Sequence, residues 1–325
     1  MLQRRVFLGT GAAGLAASLG LPAWAQKYPD GPVTIVLPLQ AGSASDVAVR
    51  QLAERLGARL GAGFAVENVA AAAGLVGLER LARARPDGRT VAALNNSIMT
   101  ILPHLQARNM KSEPRRDFVP VGGIANIPTF FAVPANSPFK DVQDLVRAAK
   151  AGERITYASG GVGSPQHLAT EMFNAYAGVK LVHVPYRGAS QATLATASGE
   201  VQLMSMALSL AQPFLQDKRV RLIGFCGTER HPQHRDIPTL QEQGVRNYDY
   251  SSWIALFLHR EAPAEAIETL RRETQAITAD ADFQAQLARA GLDPWPRGHS
   301  ELTRIIDEDF VRWQRIIQEA NIQAT

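Results

Sequence analysis

The sequence predicts an α/β protein of two domains, each built on a parallel sheet covered by helices on both faces. Three observations predict it. Short apolar runs alternate with stretches of helical periodicity, and strands that alternate with helices form parallel sheets. The 325 residues suffice for two domains of ordinary size once an N-terminal targeting segment is set aside. After a stretch rich in Pro, His and turn residues, the C-terminal part reads as three successive helices, a late return of the chain to the first domain.

The targeting segment comes first. Arg4-Arg5 stand in a start without acid, residues 6–21 carry no charge, and Pro22-Ala23-Trp24-Ala25 ends in an A-x-A pattern. A basic n-region, a short apolar h-region and a small-residue site read as a secretory signal cleaved after Ala25. The run is short for a membrane span, which needs roughly 20 apolar residues. Arg4-Arg5-Val6-Phe7-Leu8 looks like a twin-arginine export core, with an ordinary Sec signal as the alternative. The periplasm is the expected compartment, and with Gln26 in place of a Cys directly after the cleavage point a lipid anchor is not expected.

A strand is predicted at 34–37 and a helix at 46–60, where Val49, Leu52, Ala53, Leu56 and Leu60 share one face. Strand 64–66, helix 75–84, the turn Pro86-Asp87-Gly88 and strand 90–94 follow. Helix 141–150 turns Val142, Leu145, Val146 and Ala149 to a core. Strands are read at 155–157, 180–184, 201–204 and 221–225, with helices at 166–176 and 188–198 between them. The tail helices are 263–278, 282–290 and 300–319. Crossings between domains are expected near Ala125-Asn126-Ile127-Pro128 and in 225–250. The predicted division is therefore 26–125 plus 226–325 for a discontinuous first lobe, and 126–225 for an inserted second lobe.

Composition narrows the partners. The first 25 residues hold two of the 34 basic residues and none of the 30 acidic ones, so the rest carries a formal +2. Arg115-Arg116, the densest basic spot after the signal, is flanked by Glu113 and Asp117. No polybasic run exists, which argues against nucleic acid as a partner. The single Cys226 allows no internal disulfide and ends the apolar run Leu222-Ile223-Gly224-Phe225, so a packed core thiol is expected.

Two strand-to-helix loops are suited to an anion. In 37–46, Gly42 permits close backbone approach, Ser43 and Ser45 offer hydroxyls, and the loop ends at a helix N-terminus. Capping by Ser45 or Asp46 is the structural alternative. Loop 157–167 holds Gly160, Gly161 and Gly163, then Ser164 as a cap and Pro165 at the first helical position. It lacks the Lys of a phosphate loop and the third Gly of a dinucleotide loop. A third junction, 182–188, carries Arg187, which can meet a carboxylate in bidentate fashion.

These segments resemble the substrate-binding receptors of tripartite tricarboxylate transporters, also called Bug receptors. The likeness rests on Tyr28-Pro29, the 38–46 loop, Val66-Glu67-Asn68, Ala84-Arg85-Pro86-Asp87-Gly88 and 157–167. It extends through 182–188, 199–204, Asp236-Ile237-Pro238-Thr239 and Gln243-Gly244, in order. It implies the type II periplasmic binding-protein fold: two α/β lobes, two crossing segments and a ligand cleft between them. It implies a small carboxylate as ligand, delivered to membrane transporter subunits, or presented to a sensor-kinase ectodomain in a signalling variant. The implied contacts are Gly42, Ser43, Ala44, Ser45 and Asp46 from one loop. The other loop supplies Ser159, Gly161, Val162, Gly163, Ser164 and His167. Ser97, Tyr186, Arg187 and Ser205 lie beyond them. No cofactor is implied, and a monomer is expected. The chain departs from the family pattern at Gly42-Ser43-Ala44-Ser45, at Asn95-Asn96-Ser97 and at Ser205-Met206, where an acid or amide pair is common. Losing the acid points away from amino acids as ligands.

Two other chemistries are weaker. Ser164, His167 and Asp46 could compose a hydrolase triad, but the exposed Gly-x-Ser-x-Gly elbow is absent and the cap explains Ser164. His231 and His234 have no third His or Cys nearby, so a surface loop is expected there in place of a metal site.

Overall fold

The computed structural model describes residues 28–319 and 321–322; the signal and cleavage expectations for residues 1–25 lie outside them. Eleven strands are found among the described residues: β1 Val33–Leu37, β2 Phe64–Asn68, β3 Thr90–Asn95, β4 Phe118–Asn126, β5 Thr129–Pro134, β6 Thr156–Ser159, β7 Val182–Pro185, β8 Leu203–Ala207, β9 Val220–Phe225, β10 Trp253–His259 and β11 Asp293–Pro294. They form a six-stranded sheet, β11-β4-β10-β3-β1-β2, and a five-stranded sheet, β7-β6-β8-β5-β9.

Both sheets are mixed, which corrects the all-parallel expectation. β1 pairs in parallel with β2 and β3, and β6 with β7 and β8. β10 runs antiparallel to β3 and β4, and β5 antiparallel to β8 and β9. The physical reason lies in the crossings. The parallel strands end at the edge that faces the other lobe. A strand arriving from the other lobe enters at that edge and must run away from it. β5, entered from β4 through Ile127-Pro128, and β10, entered through Ser251-Ser252, are those strands.

The apolar faces pack as the helical periodicity predicts. Helix Ala44–Leu60 buries Ala48, Val49, Leu52 and Leu56 against Ile35, Val91 and Leu256 of the first sheet. Helices Ala264–Thr278 and Ala281–Arg289 add Leu270, Ile277, Phe283 and Leu287 to the same core. On the second sheet, Phe131, Tyr157, Leu168, Met172 and Phe173 form a separate core.

Residues 226–250, read above as first-lobe chain, contribute Leu240, Val245, Tyr248 and Tyr250 to that second core. The return to the first sheet therefore falls at 251–252, because four large side chains between 240 and 250 find their apolar partners on the second sheet. The last helix, His299–Glu319, is shared: Leu302 and Ile306 pack with the first sheet, Trp313 and Ile316 with the second. Cys226 is fully buried, and burial pushes its thiol up to about 12. The surface loop expected at His231 is corrected as well. Its ring is 3% exposed, packed against Phe130 and Phe225, with Nε2 3.1 Å from Asp293.

Candidate functional site

The C-terminal ends of the parallel strands in both sheets face one cleft, where open α/β sheets place ligands. Four helices of nine residues or more begin there. Their N-caps are Ser43, Ser164, Gly188 and Ala207, and Ser43, Ser164, Gly188 and Ala207 all line the cleft. Helix N-termini present unpaired N–H groups and the positive end of the dipole. Gly188 and Ala207 provide no side-chain cap; at the start of helix Leu208–Gln216 the Leu208 N–H donates instead to Pro128 O at 2.8 Å.

The first loop folds as a closed circuit. Ser43 Oγ accepts the Asp46 N–H at 3.3 Å. Asp46 Oδ2 accepts the Gly42 N–H at 2.9 Å and Arg50 Nε at 2.9 Å, and Oδ1 accepts Asn68 Nδ2 at 2.8 Å. Burial raises the Asp46 carboxyl, but the bonds from Arg50, Gly42 and Asn68 outweigh it and hold it below the usual carboxylate range. Its charge is thus spent on neighbours behind the loop, and Asp46 is absent from the cleft lining.

The second loop repeats the circuit. Ser164 Oγ accepts the His167 N–H at 3.4 Å, and His167 Nδ1 accepts the Gly163 N–H at 3.2 Å. Desolvation lowers His167 to about 4, so the ring is neutral near pH 7. His183 stacks on it at 4.4 Å; desolvation first, then His167, lowers it to about 4 also. Ser159 Oγ lies 2.6 Å from His183 Nε2 and accepts the Gly161 N–H at 3.0 Å.

Of the residues predicted from sequence, Ser43, Ala44, Ser45, Ser97, Gly163, Ser164, Arg187 and Ser205 line the cleft. The others stand behind it or beside it. Gly42 and Asp46 brace the first loop, and Ser159, Gly161 and His167 brace the second. Val162 is half-buried outside the lining, and Tyr186 turns its hydroxyl to Glu200 at 2.7 Å. Arg187 is exposed at the mouth and is the one charged residue among the described residues of the lining.

Sequence reading missed the floor. Asn95, Thr129, Tyr250 and Ser252 line it, and so does the N-terminus of helix Leu208–Gln216. The available signal was the polar triplets Asn95-Asn96-Ser97 and Tyr250-Ser251-Ser252, which abut the apolar strands β3 and β10. Contacts also cross the cleft: Ser97 Oγ donates to Gly163 O at 3.0 Å, and Ser190 Oγ donates to Gly42 O at 3.2 Å. The two lobes are closed upon each other.

Two α/β lobes, two crossings and a cleft of helix N-termini define a periplasmic binding protein of the type II class. Residues 48–322 match the family model described as "Tripartite tricarboxylate transporter family receptor", and the chain belongs to that family. It is 30% identical over 324 residues to a "UPF0065 protein in tcbD-tcbE intergenic region" of Pseudomonas sp. strain P51, covering 99% of this chain and 96% of that one. Among solved structures it is similar to R. palustris Rpa4515 with adipate, at 28% identity and a TM-score of 0.86, covering 91% of this chain and 99% of that one. It is also similar to the periplasmic binding protein BugD, at 25% identity and a TM-score of 0.84, covering 91% and 99%.

Proposed function

We propose that this chain is an exported periplasmic receptor that closes its lobes around a small carboxylate and delivers it to a tripartite tricarboxylate-type membrane transporter. The observation that carries the reading is the convergence of four helix N-termini from both sheets on a cleft whose described lining holds no acid. Such a site holds an anion through N–H groups and hydroxyls without a buried ion pair. Ser43, Ser45, Gly163 and Ser164 are assigned to the carboxylate grip, with Arg187 as an outer electrostatic contact. The adipate carried by a 28%-identical structure supports the class of ligand. The lobes are assigned as 28–126 with 253–298, and 129–250, with the last helix bridging them. The closed form is the one assigned to the transporter, so that ligand shifts a population toward the recognised state.

A thermal-shift screen of carboxylates, amino acids and sugars tests the reading. A carboxylate at many times its Kd adds a few kcal/mol of stability. Stabilisation by uncharged sugars alone overturns it. Uptake of that carboxylate by a strain deleted for the chain tests the delivery step, and the intact mass of periplasmic protein, expected to start at Gln26, tests export.

A further inference from the structure

The floor of the cleft carries a polar group whose role the fold does not explain. Tyr250 lines it with only 2% of its surface exposed, and its buried hydroxyl makes no well-formed hydrogen bond, with the Ser252 and Asn96 side chains the polar groups close enough to interact with it. The neighbours that could serve it are engaged elsewhere. Ser252 Oγ donates to Asn96 Oδ1 at 3.2 Å, and Asn96 Nδ2 donates to Ser251 O at 2.9 Å. Thr129 Oγ1 donates to Ile127 O at 3.0 Å, and Ser97 Oγ to Gly163 O at 3.0 Å. Ser205 Oγ has only the Cys226 sulfur, at 4.0 Å.

A buried hydroxyl without a partner is costly, and a phenol that replaced nothing else would be better as phenylalanine. Burial strongly disfavours the phenolate, so the group stays a donor at every relevant pH. Its position is fixed, since the ring packs edge-on against Trp313 at 6.0 Å in the second core. Among the described residues no acid, Lys, Arg or His lines the floor beside it. A ligand ammonium finds no counter-charge there, while an oxygen acceptor finds a waiting O–H. Leu39, Ile98, Ile127 and Leu210 add apolar wall to the same cleft.

Resting on the carboxylate reading above, we propose that Tyr250 selects the far end of the ligand. The cleft then takes an acid with an apolar middle and a second oxygen acceptor at its other end, a dicarboxylate being the class that fits. Tyr250 donates to that distal oxygen, and the loops at Ser43 and Ser164 hold the proximal carboxylate.

The test compares diacids with the monoacids of equal chain length, adipate against hexanoate and glutarate against pentanoate, by calorimetric titration of wild type and Tyr250→Phe. Wild type is expected to bind the better diacid roughly 10-fold or more tighter than its monoacid, the range for a hydrogen bond to a charged group. Tyr250→Phe is expected to lose that preference, with the diacid weakened roughly 10-fold and the monoacid changed by less than about 3-fold. The ligand-free melting temperature of Tyr250→Phe should not fall, because the phenol makes no well-formed hydrogen bond without ligand. Equal weakening of both acids, an unchanged preference, or a lowered ligand-free melting temperature overturns the assignment while leaving carboxylate binding intact. A wild-type protein that binds neither class overturns the carboxylate reading, and the assignment with it.

Discussion

The two loops that face each other across the cleft share one local design and differ in one charge. In each, a glycine with positive φ (75° at Gly42, 78° at Gly163) precedes a serine N-cap. The third residue after the glycine-serine pair begins its reply from inside the helix: Asp46 accepts the Gly42 N–H, and His167 accepts the Gly163 N–H. This resembles a capping box whose return bond reaches one residue further back. A carboxylate does the work on the first lobe and a neutral imidazole on the second. The difference shows that the loop geometry needs an acceptor at that position, not a charge. It also separates the loops by neighbours. The carboxylate is balanced by Arg50 and Asn68 outside the cleft, whereas His167 is sealed beneath the second loop against His183.

The largest expected effect breaks the symmetry of the glycines. A Cβ on Gly163 would stand 3.0 Å from Leu102 and 3.1 Å from Ala73, both on the opposite lobe, whereas one on Gly42 meets only Ser190 Oγ at 3.7 Å. Gly163→Val therefore strains the backbone and also props the lobes apart. Binding of the carboxylate is expected to weaken roughly 100-fold by calorimetry, from strain and overpacking together. Gly42→Val carries the strain with little steric obstruction and should stay within roughly 10-fold. Small-angle scattering of Gly163→Val with saturating ligand should show a more extended particle than wild type. Equal losses for the two variants would undo the assignment of Gly163 to closure.

The second effect sharpens the charge difference through pH. The unfolded chain protonates His167 near its ordinary 6.5, but the folded chain resists until about 4. Stability is therefore full above 6.5 and falls as pH drops toward 4, by about 3 kcal/mol at most. Asp46 behaves in a lower window. Its depressed carboxyl contributes stability above the ordinary carboxylate range and loses it only as pH falls below that range. Denaturant melts from pH 7.5 to 4.5 should show the slope in wild type and a flatter one in His167→Gln, with Asp46→Asn leaving this window unchanged. A slope identical in wild type and His167→Gln would show that other groups, His183 among them, carry it.

The smallest effect concerns the caps. Ser43→Ala and Ser164→Ala should each cost about 1 kcal/mol of stability by thermal melting. Both should also weaken ligand binding, since each hydroxyl lines the cleft. A cap variant that loses stability and binds normally would assign its serine to the helix alone.

Much of this arrangement is legible along the chain because its signals are local. Ser164-Pro165 and Ser43 announce helix starts, and helix Ala44–Leu60 buries the face that Val49, Leu52 and Leu56 define. The floor is not legible in that way. Tyr250 and Ser252 sit in a segment whose Pro, His and turn residues read as a linker, and their value comes from lying beside Asn95 and Ser205, far away in sequence. Helix Leu208–Gln216 was hidden by Pro213 inside it, although its N-terminus completes the cleft.

The sequence by itself determined the alternation of elements and the two anion-suited loops with their caps, because each follows from residues within a few positions of one another, and it carried the family in the order of its motifs along the chain. Tertiary structure alone decided the rest. It set the direction of β5 and β10, since a strand's orientation depends on which edge the chain enters. It packed Leu240, Val245, Tyr248 and Tyr250 onto the second sheet, since they go where apolar partners already stand. It also left the Tyr250 hydroxyl without a well-formed hydrogen bond, because whether a polar group is satisfied depends on every side chain that surrounds it.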